Sequence, residues 1–482
     1  IFLSFSWGVS EMLQPERMGH EPVLKLIVAF ALPSIAGMLA GSLYNIVDRM
    51  FVGRVVGPEG LAAISVCFPF MLILISLCFL FGIGALPLIS RALGERNPER
   101  AELVLGNVVS SILILGVALT VFGLLETDSL LRLSGADEKL LPMAREYMRI
   151  ILMGVPAAML SFAMNFCVQA EGRPLFAMGT QVIGAISNTI LDALFIWRWG
   201  WGIAGAAWGT ILSQMLSVLW VSSFYWWRRG CLRIRASCCV PRFDVLKRIL
   251  ALGFPPFLTE VSFSVFFILF NRSMNTYGGP IAVSALGAFL GWDSLLFLPV
   301  IGLGEAVQAI FGYNWGARLP GRVLEALKWA LILATGYFVG SVLVVRLFVH
   351  EMLLFFTADP GLLALASEGM GIAYAGSVFS GIALIANSFF QGLGRARLSL
   401  LLTLSRQFLM LIPAILILPR FWGVKGVWAC FPALDMGGGV LAFFLLLRYY
   451  KKLGFDRCDG RGTEPGKSDR ERDPVPGEVA ER

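Results

Sequence analysis

The chain has 482 residues, of which 57% are hydrophobic and 15% charged, and its mean hydropathy is +0.76. That composition excludes a water-soluble core wrapped in polar surface and makes lipid the solvent. The net charge of +7 would suggest nucleic acid in a soluble protein, but here the bases lie in loops between apolar runs, where they set topology, so no nucleic-acid partner is expected.

Residues 1–21 form an N-terminal extension whose apolar stretch, Ile1 to Val9, has neither a basic leader nor a small-residue cleavage site, so no secretory signal is evident. Because the chain opens with Ile, Met12 and Met18 are alternative starts. Apolar runs of membrane-spanning length follow at 26–50, 61–89, 104–125, 145–168, 175–197, 202–226, 249–271, 283–311, 326–349, 368–391, 398–420 and 424–447. Unpaired backbone groups are costly in hydrocarbon, so each run is predicted to be a helix; barrel strands would be shorter and alternating. The expected fold is an all-α membrane protein of twelve transmembrane helices.

The division expected is a first lobe over 22–227, a basic inter-lobe linker over 228–247, a second lobe over 248–450 and a disordered tail over 451–482, rich in Gly, Pro and charge. The linker holds Arg228, Arg229, Arg233, Arg235, Arg242 and Lys247, and further bases fall in the loops on its side of the membrane. By the positive-inside rule both termini and the linker are cytoplasmic, in an inner, cytoplasmic membrane crossed many times.

Laying the second half on the first at an offset of 222 residues pairs Pro33 with Pro255, Gly57 with Gly279, Gly94 with Gly316, Arg100 with Arg322, Asn165 with Asn387 and Gly172 with Gly394. Apolar stretches can match by composition alone, but these Gly, Pro, Asn and Arg positions are not forced by hydrophobicity. Each unit has an even number of spans, so the units enter the membrane in the same direction and are related by an axis along its normal. Two pseudo-symmetric six-helix lobes around a central cavity are therefore expected.

Tyr44-Asn45-Ile46-Val47-Asp48-Arg49-Met50-Phe51-Val52-Gly53, Leu61-Ala62-Ala63 and the exit Ser90-Arg91 to Gly94 resemble the opening signature of the multidrug and toxic compound extrusion (MATE) family. In the second half Pro299 to Gly304, Gln308 and Phe311-Gly312-Tyr313-Asn314-Trp315-Gly316-Ala317 resemble its eighth-span signature. The resemblance covers about residues 22–450 and implies a two-lobe exporter of amphipathic organic cations in exchange for Na⁺ or H⁺. Beyond that coupling ion no cofactor is implied; the expected partners are small organic cations and the bilayer, and the chain is expected to act as a monomer.

Ionisable side chains inside spans are costly and need a partner, a wet cavity or a function. Asn188 and Asp192 share one face of span five with Gln181 and Gly184, and Tyr44 and Asp48 have the same four-residue spacing in span one. Asp48, Asn188, Asp192, Asn165 and Thr210 would together supply hard oxygen ligands for Na⁺, with Asp48, Asn188 and Asp192 as its nearest holders, or two carboxyls sharing a proton. The resemblance implies the same set, since the family places a cation site on an acid in span one, an Asn and Asp in span five and polar groups in spans four and six. At the 222-residue offset Asp48, Asn188 and Asp192 fall on Phe270, Met410 and Ala414, so this polar cluster is private to the first half. A structural role in a helix interface is the alternative.

Tyr44, Glu260, Asp293, Glu305 and Gln308 are candidates for a substrate cavity or a second protonation site, with satisfied cavity-lining groups as the alternative. Arg406 is expected to neutralise one of the buried acids, which include Asp435. Pro33 and Pro255 are candidate hinges, or fixed kinks that shape the lobes. Met38, Phe68, Phe162, Met164, Phe266 and Phe289 are candidates for a pliable drug surface. Two rivals fit less well. A lipid-linked oligosaccharide flippase of the same superfamily needs a cationic cavity, and a membrane-embedded enzyme needs a metal or His cluster, whereas only His20 and His350 exist.

Overall fold

The computed structural model describes residues 15–355 and 359–458. Ten helices among them are long and apolar enough to cross a membrane. Spans one to six are Val23–Val55, Pro58–Gly94, Pro98–Leu125, Leu141–Ala170, Pro174–Arg198 and Gly202–Trp226. Spans seven and eight share the segment Phe243–Gly316, which breaks at Gly279 (φ 68°, ψ −168°). Span nine is Pro320–Leu354, span ten Pro360–Gly392, and spans eleven and twelve share Ala396–Tyr449, broken at Gly423. Those two breaks turn the ten segments into the twelve crossings expected.

The break at Gly279 is the repeat seen in backbone. Gly57 (φ 93°, ψ −169°), its mate, makes the same turn between spans one and two. Arg96 and Arg318 (φ 55° and 58°) and Gly172 and Gly394 (φ 80° and 75°) are likewise mates with left-handed backbone. Proline opens spans two, three, five, nine and ten, where its missing N–H would have no helical partner. Asn97 caps span three by accepting from the Arg100 N–H at 2.9 Å.

The lobes meet on the face that carries the linker. A Cβ at Gly94 would collide with the Tyr313 carbonyl, and one at Gly316 with the Arg91 carbonyl, so these mates let spans two and eight cross backbone to backbone. The Gln308 amide donates across the same interface to the Ile83 carbonyl at 3.4 Å. Farther along these helices Leu43, Ile46 and Met50 of span one, and Phe263, Val265, Phe267 and Ile268 of span seven, are exposed.

Several sequence expectations shift. The last helix runs to Cys458, past the boundary expected at 450, and residues 459–482 of the expected tail lie outside the described residues, as does Met12. Within the N-terminal extension, Arg17–His20 is a short helix docked on the second lobe, where Asn314 and Arg322 donate to the Met18 carbonyl at 3.0 and 3.1 Å. The linker is strapped to the first lobe: Glu171 accepts from the N–H groups of Cys231 and Leu232, Glu102 pairs with Arg235 at 2.8 Å, and the Arg242 N–H donates to Asn107 at 2.6 Å. The extension and linker are thus built into the linker-face closure.

Candidate functional site

Span five brings its polar stripe to the middle of the first lobe. Asp192 is fully buried (0% exposed), Asn188 is 1% exposed, and the Asn188 amide reaches Asp192 Oδ1 at 3.4 Å. Asp192 fits because its neighbour in span six is Gly209, where a Cβ would collide with Asp192 Oδ1. Asp48 of span one, 8% exposed, lies close enough to Asp192 for the two carboxyls to interact directly. Two like charges in that position repel strongly, and the pair is relieved by a shared proton or a bound cation. Neither acid forms an ion pair with a base among the described residues, and the nearby Arg49 lies over the Phe68 ring at 5.2 Å.

Four oxygens in this region are buried without a hydrogen-bond donor: Asp48 Oδ1, Asn188 Oδ1, Asp192 Oδ2 and Asn165 Oδ1. Buried acceptors are seldom left so, and a cluster of hard oxygens is the donor set a small alkali cation takes. Asn165 stands slightly apart, lining with Tyr44, Ser161, Gln181, Gly184 and Gln214 a cavity of about 10 Å³, the room one water centre needs. Tyr44 joins the two parts, since it also feels the charges of Asp48 and Asp192. Thr210 sits beside Gly209, and its carbonyl accepts from Ser213 at 2.7 Å; its side chain makes no hydrogen bond to either acid among the described residues. Among the described residues no group of three His, Cys, Asp or Glu side chains could hold a metal.

Sequence reasoning missed Tyr147 of span four, which is 6% exposed and close enough to Asp48 and Asp192 to feel both charges. Its one available signal was its place in an apolar span opposite Gly369 at the repeat offset. Also missed were Ser161, Ser213 and Gln214, whose register depends on how spans four and six pack.

The second-lobe candidates do not gather into one site. Asp293 accepts from the Tyr374 hydroxyl at 3.0 Å, while Arg406 pairs with Asp435 at 2.9 Å and donates to Ser380, which itself donates to Asp435. Glu260 is half-buried and Glu305 is 8% exposed, and neither has a hydrogen bond or ion pair among the described residues. Gln308 belongs to the lobe interface. Pro33 and Pro255 are buried inside unbroken stretches of spans one and seven. Met164 and Phe289, at 1% exposure, are core rather than drug surface.

Known proteins agree with this architecture. The MatE family profile matches residues 33–194 and again 255–416, two stretches offset by the same 222 residues as the repeat. The chain is 26% identical over 407 residues to the multidrug export protein MepA of Staphylococcus aureus strain N315, covering 84% of this chain and 89% of that one. Against the MepA of Staphylococcus haemolyticus it is 25% identical over 437 residues, covering 90% and 96%. Among solved structures it is similar to a multidrug resistance MATE transporter of the MOP superfamily in an outward-facing conformation, with a TM-score of 0.85, 27% identity, and 91% and 98% of the two chains covered. A MATE protein in a straight conformation superposes with a TM-score of 0.84 at 28% identity. With both halves matched and the fold shared over nine-tenths of its length, the chain belongs to the MatE family of multidrug efflux transporters.

Proposed function

We propose that this transporter is an antiporter that exports amphipathic organic cations by alternating access, with Na⁺ or H⁺ bound at Asp48, Asn188 and Asp192 as the coupling ion. The observation that carries the reading is the set of buried, donor-free oxygens around two neighbouring carboxyls that form no ion pair with a base among the described residues. An ion binding there removes like-charge repulsion, and it stabilises whichever lobe arrangement holds those oxygens together. When the ion leaves, the ionised acids attract a cationic substrate, and an occupied site attracts it less, so the two cargoes compete.

The bases of the linker and of the loops on its face make that face cytoplasmic, with both termini inside and the protein in the cytoplasmic membrane. Lobes joined at that face correspond to an arrangement open to the exterior, from which substrate leaves and the coupling ion enters. Both lobes are carried by one polypeptide, so a monomer suffices. Opening inward must break the Gln308–Ile83 contact, the backbone crossing at Gly94 and Gly316, and the grip of Arg322 on Met18.

The test is uptake of a fluorescent organic cation into inverted vesicles under separate Na⁺ and pH gradients. One gradient is expected to drive it, and Asp48→Asn or Asp192→Asn to abolish that drive. Uptake indifferent to both gradients, or undiminished in the two variants, sinks the assignment. Titrating purified protein with Na⁺ while following its thermal stability distinguishes the ions, since a ligand of the native state raises stability by mass action.

A further inference from the structure

The flank of the second lobe holds a cleft of about 450 Å³ between spans nine, ten and twelve, lined by Arg346, Ser367, Glu368, Gly371, Ile372 and Pro432. Its one unpaired charge is Arg346. Glu368 is already engaged, with Lys425 Nζ at 2.5 Å from its Oε1, and Arg346 makes no ion pair among the described residues. The three charges leave the cleft with an excess of one positive charge.

The setting of that charge is apolar. Arg346 lies inside span nine and is flanked by Leu343, Val344, Leu347 and Phe348, with Leu347 71% exposed and Leu343 57%, as on a face turned to acyl chains. Two residues beyond it the helix breaks at Phe348 (φ −123°, ψ 16°), and His350 and Glu351 follow, so Arg346 stands at the end of the apolar run, where acyl chains meet headgroups. A guanidinium at that level, with its stem among acyl chains, is within reach of headgroup phosphates. Gly371 stands close by, where a Cβ would lie 3.6 Å from Arg346 Nη1 in ordinary contact, so a larger side chain there would reach into the cleft.

We propose that this cleft is a phospholipid site, in which Arg346 holds the headgroup phosphate and the apolar wall of Ile372 and Pro432 receives the start of an acyl chain. The planar guanidinium fork matches phosphate oxygens two at a time, and the Ser367 hydroxyl is placed on the same wall as a further donor. The cleft lies on span nine, ten and twelve surfaces, apart from the first-lobe acids, so the site stands or falls separately from the coupling-ion assignment.

The test is native mass spectrometry of the delipidated full chain titrated with palmitoyl-oleoyl phosphatidylglycerol. Arg346→Gln is expected to weaken the first lipid adduct by about tenfold or more, the size of one charged hydrogen bond, while Arg346→Lys stays within about threefold of the parent. Gly371→Leu, which fills the cleft and leaves the arginine in place, is expected to lose the adduct as Arg346→Gln does, and it decides the matter if the glutamine variant fails to fold. Equal adducts in the parent and both cleft variants overturn the proposal. Displacement of the lipid by excess inorganic phosphate overturns it too, because the site would then be one for a soluble anion.

Discussion

The two lobes share a backbone and treat buried charge in opposite ways. In the second lobe Arg406, on a π-helical turn over Ser405–Met410, neutralises Asp435 across the helix interface. In the first lobe the repeat partner of Arg406 is Gly184. The repeat slips by one residue in the last span of each lobe, where Gly202 and Gly423 share left-handed backbone (φ 58° and 55°), so Gln214 takes the place of Asp435 and Ser217 that of Gly438. The contacts agree with that register, because Gly184 packs on Ser217 and Arg406 on Gly438. What the second lobe fills with an ion pair, the first leaves as the small polar cavity beside its two acids. One lobe has a cation built into the chain; the other keeps its two acids without one and has a small polar cavity beside them.

The strongest way to break that comparison is to remove the first-lobe acids. Asp192→Asn keeps shape and burial but removes the charge, so gradient-driven transport is expected to fall to the vesicle background while the fold survives. Asp48→Asn should do the same. If transport in either variant remained comparable to the parent, the acids would be packing groups and the lobes would differ without functional meaning.

The second lobe should respond in stability rather than transport. Asp435→Asn leaves the partly exposed Arg406 guanidinium without its counter-charge and is expected to cost about 1.5–3 kcal/mol, the range for a hydrogen bond to a charged group. The double variant Arg406→Gly with Asp435→Gln, which writes the first-lobe residues into the second, should recover much of that loss. Thermal denaturation in detergent reads both; a double variant no better than the single one would mean that the ion pair is not a replaceable filler.

How far the sequence carried this is clearest at these same residues. The spans, the repeat, and the pairing of Asn188 with Asp192 were legible because each rests on period: span length, a constant offset, and four-residue spacing along one helix face; the grouping of Asp48 with that pair came from the family resemblance. The partner of Arg406 was not legible, because several acids lie in neighbouring spans and only the packing of spans eleven and twelve selects Asp435. In span six Gly209 packs directly on Asp192, a contact the sequence did not give, because a helix face there cannot be assigned without its rotation about its own axis. Gln308 was read as a cavity residue and instead ties the lobes together, because the depth at which the lobes meet is a tertiary fact.

The linker offers a third contrast, as the first lobe alone grips it. Glu171, at the membrane edge and 1% exposed, has its carboxyl pushed up to about 7 by burial, against the N–H groups of Leu232 and Cys231 that favour its ionised form. An acid whose folded-state value lies above its unfolded one near 4.5 binds more protons when folded, so its contribution declines as pH rises from about 4.5 to 7. At 1.36 kcal/mol per unit the decline is about 3 kcal/mol. Glu171→Gln, which can still accept from both N–H groups, should flatten the dependence of melting temperature on pH over that interval. A slope as steep as the parent's would place the titration elsewhere.

The smallest effect sharpens the comparison at the start of matched helices. Span three begins with Asn97, whose side chain accepts the Arg100 N–H, whereas its repeat mate, Leu319, begins span nine with no side-chain cap. The second lobe therefore tolerates an uncapped start, helped by proline at the first helical position in both spans. Asn97→Ala is accordingly expected to cost only about 1 kcal/mol, the usual value of one cap, with transport unchanged. The measurement is again thermal denaturation in detergent. A loss of several kcal/mol would show that the loop joining spans two and three, where Glu95 pairs with both Arg91 and Arg100 at 2.8 Å, depends on Asn97 as a unit, and that the first lobe's linker face is held more tightly than the second's.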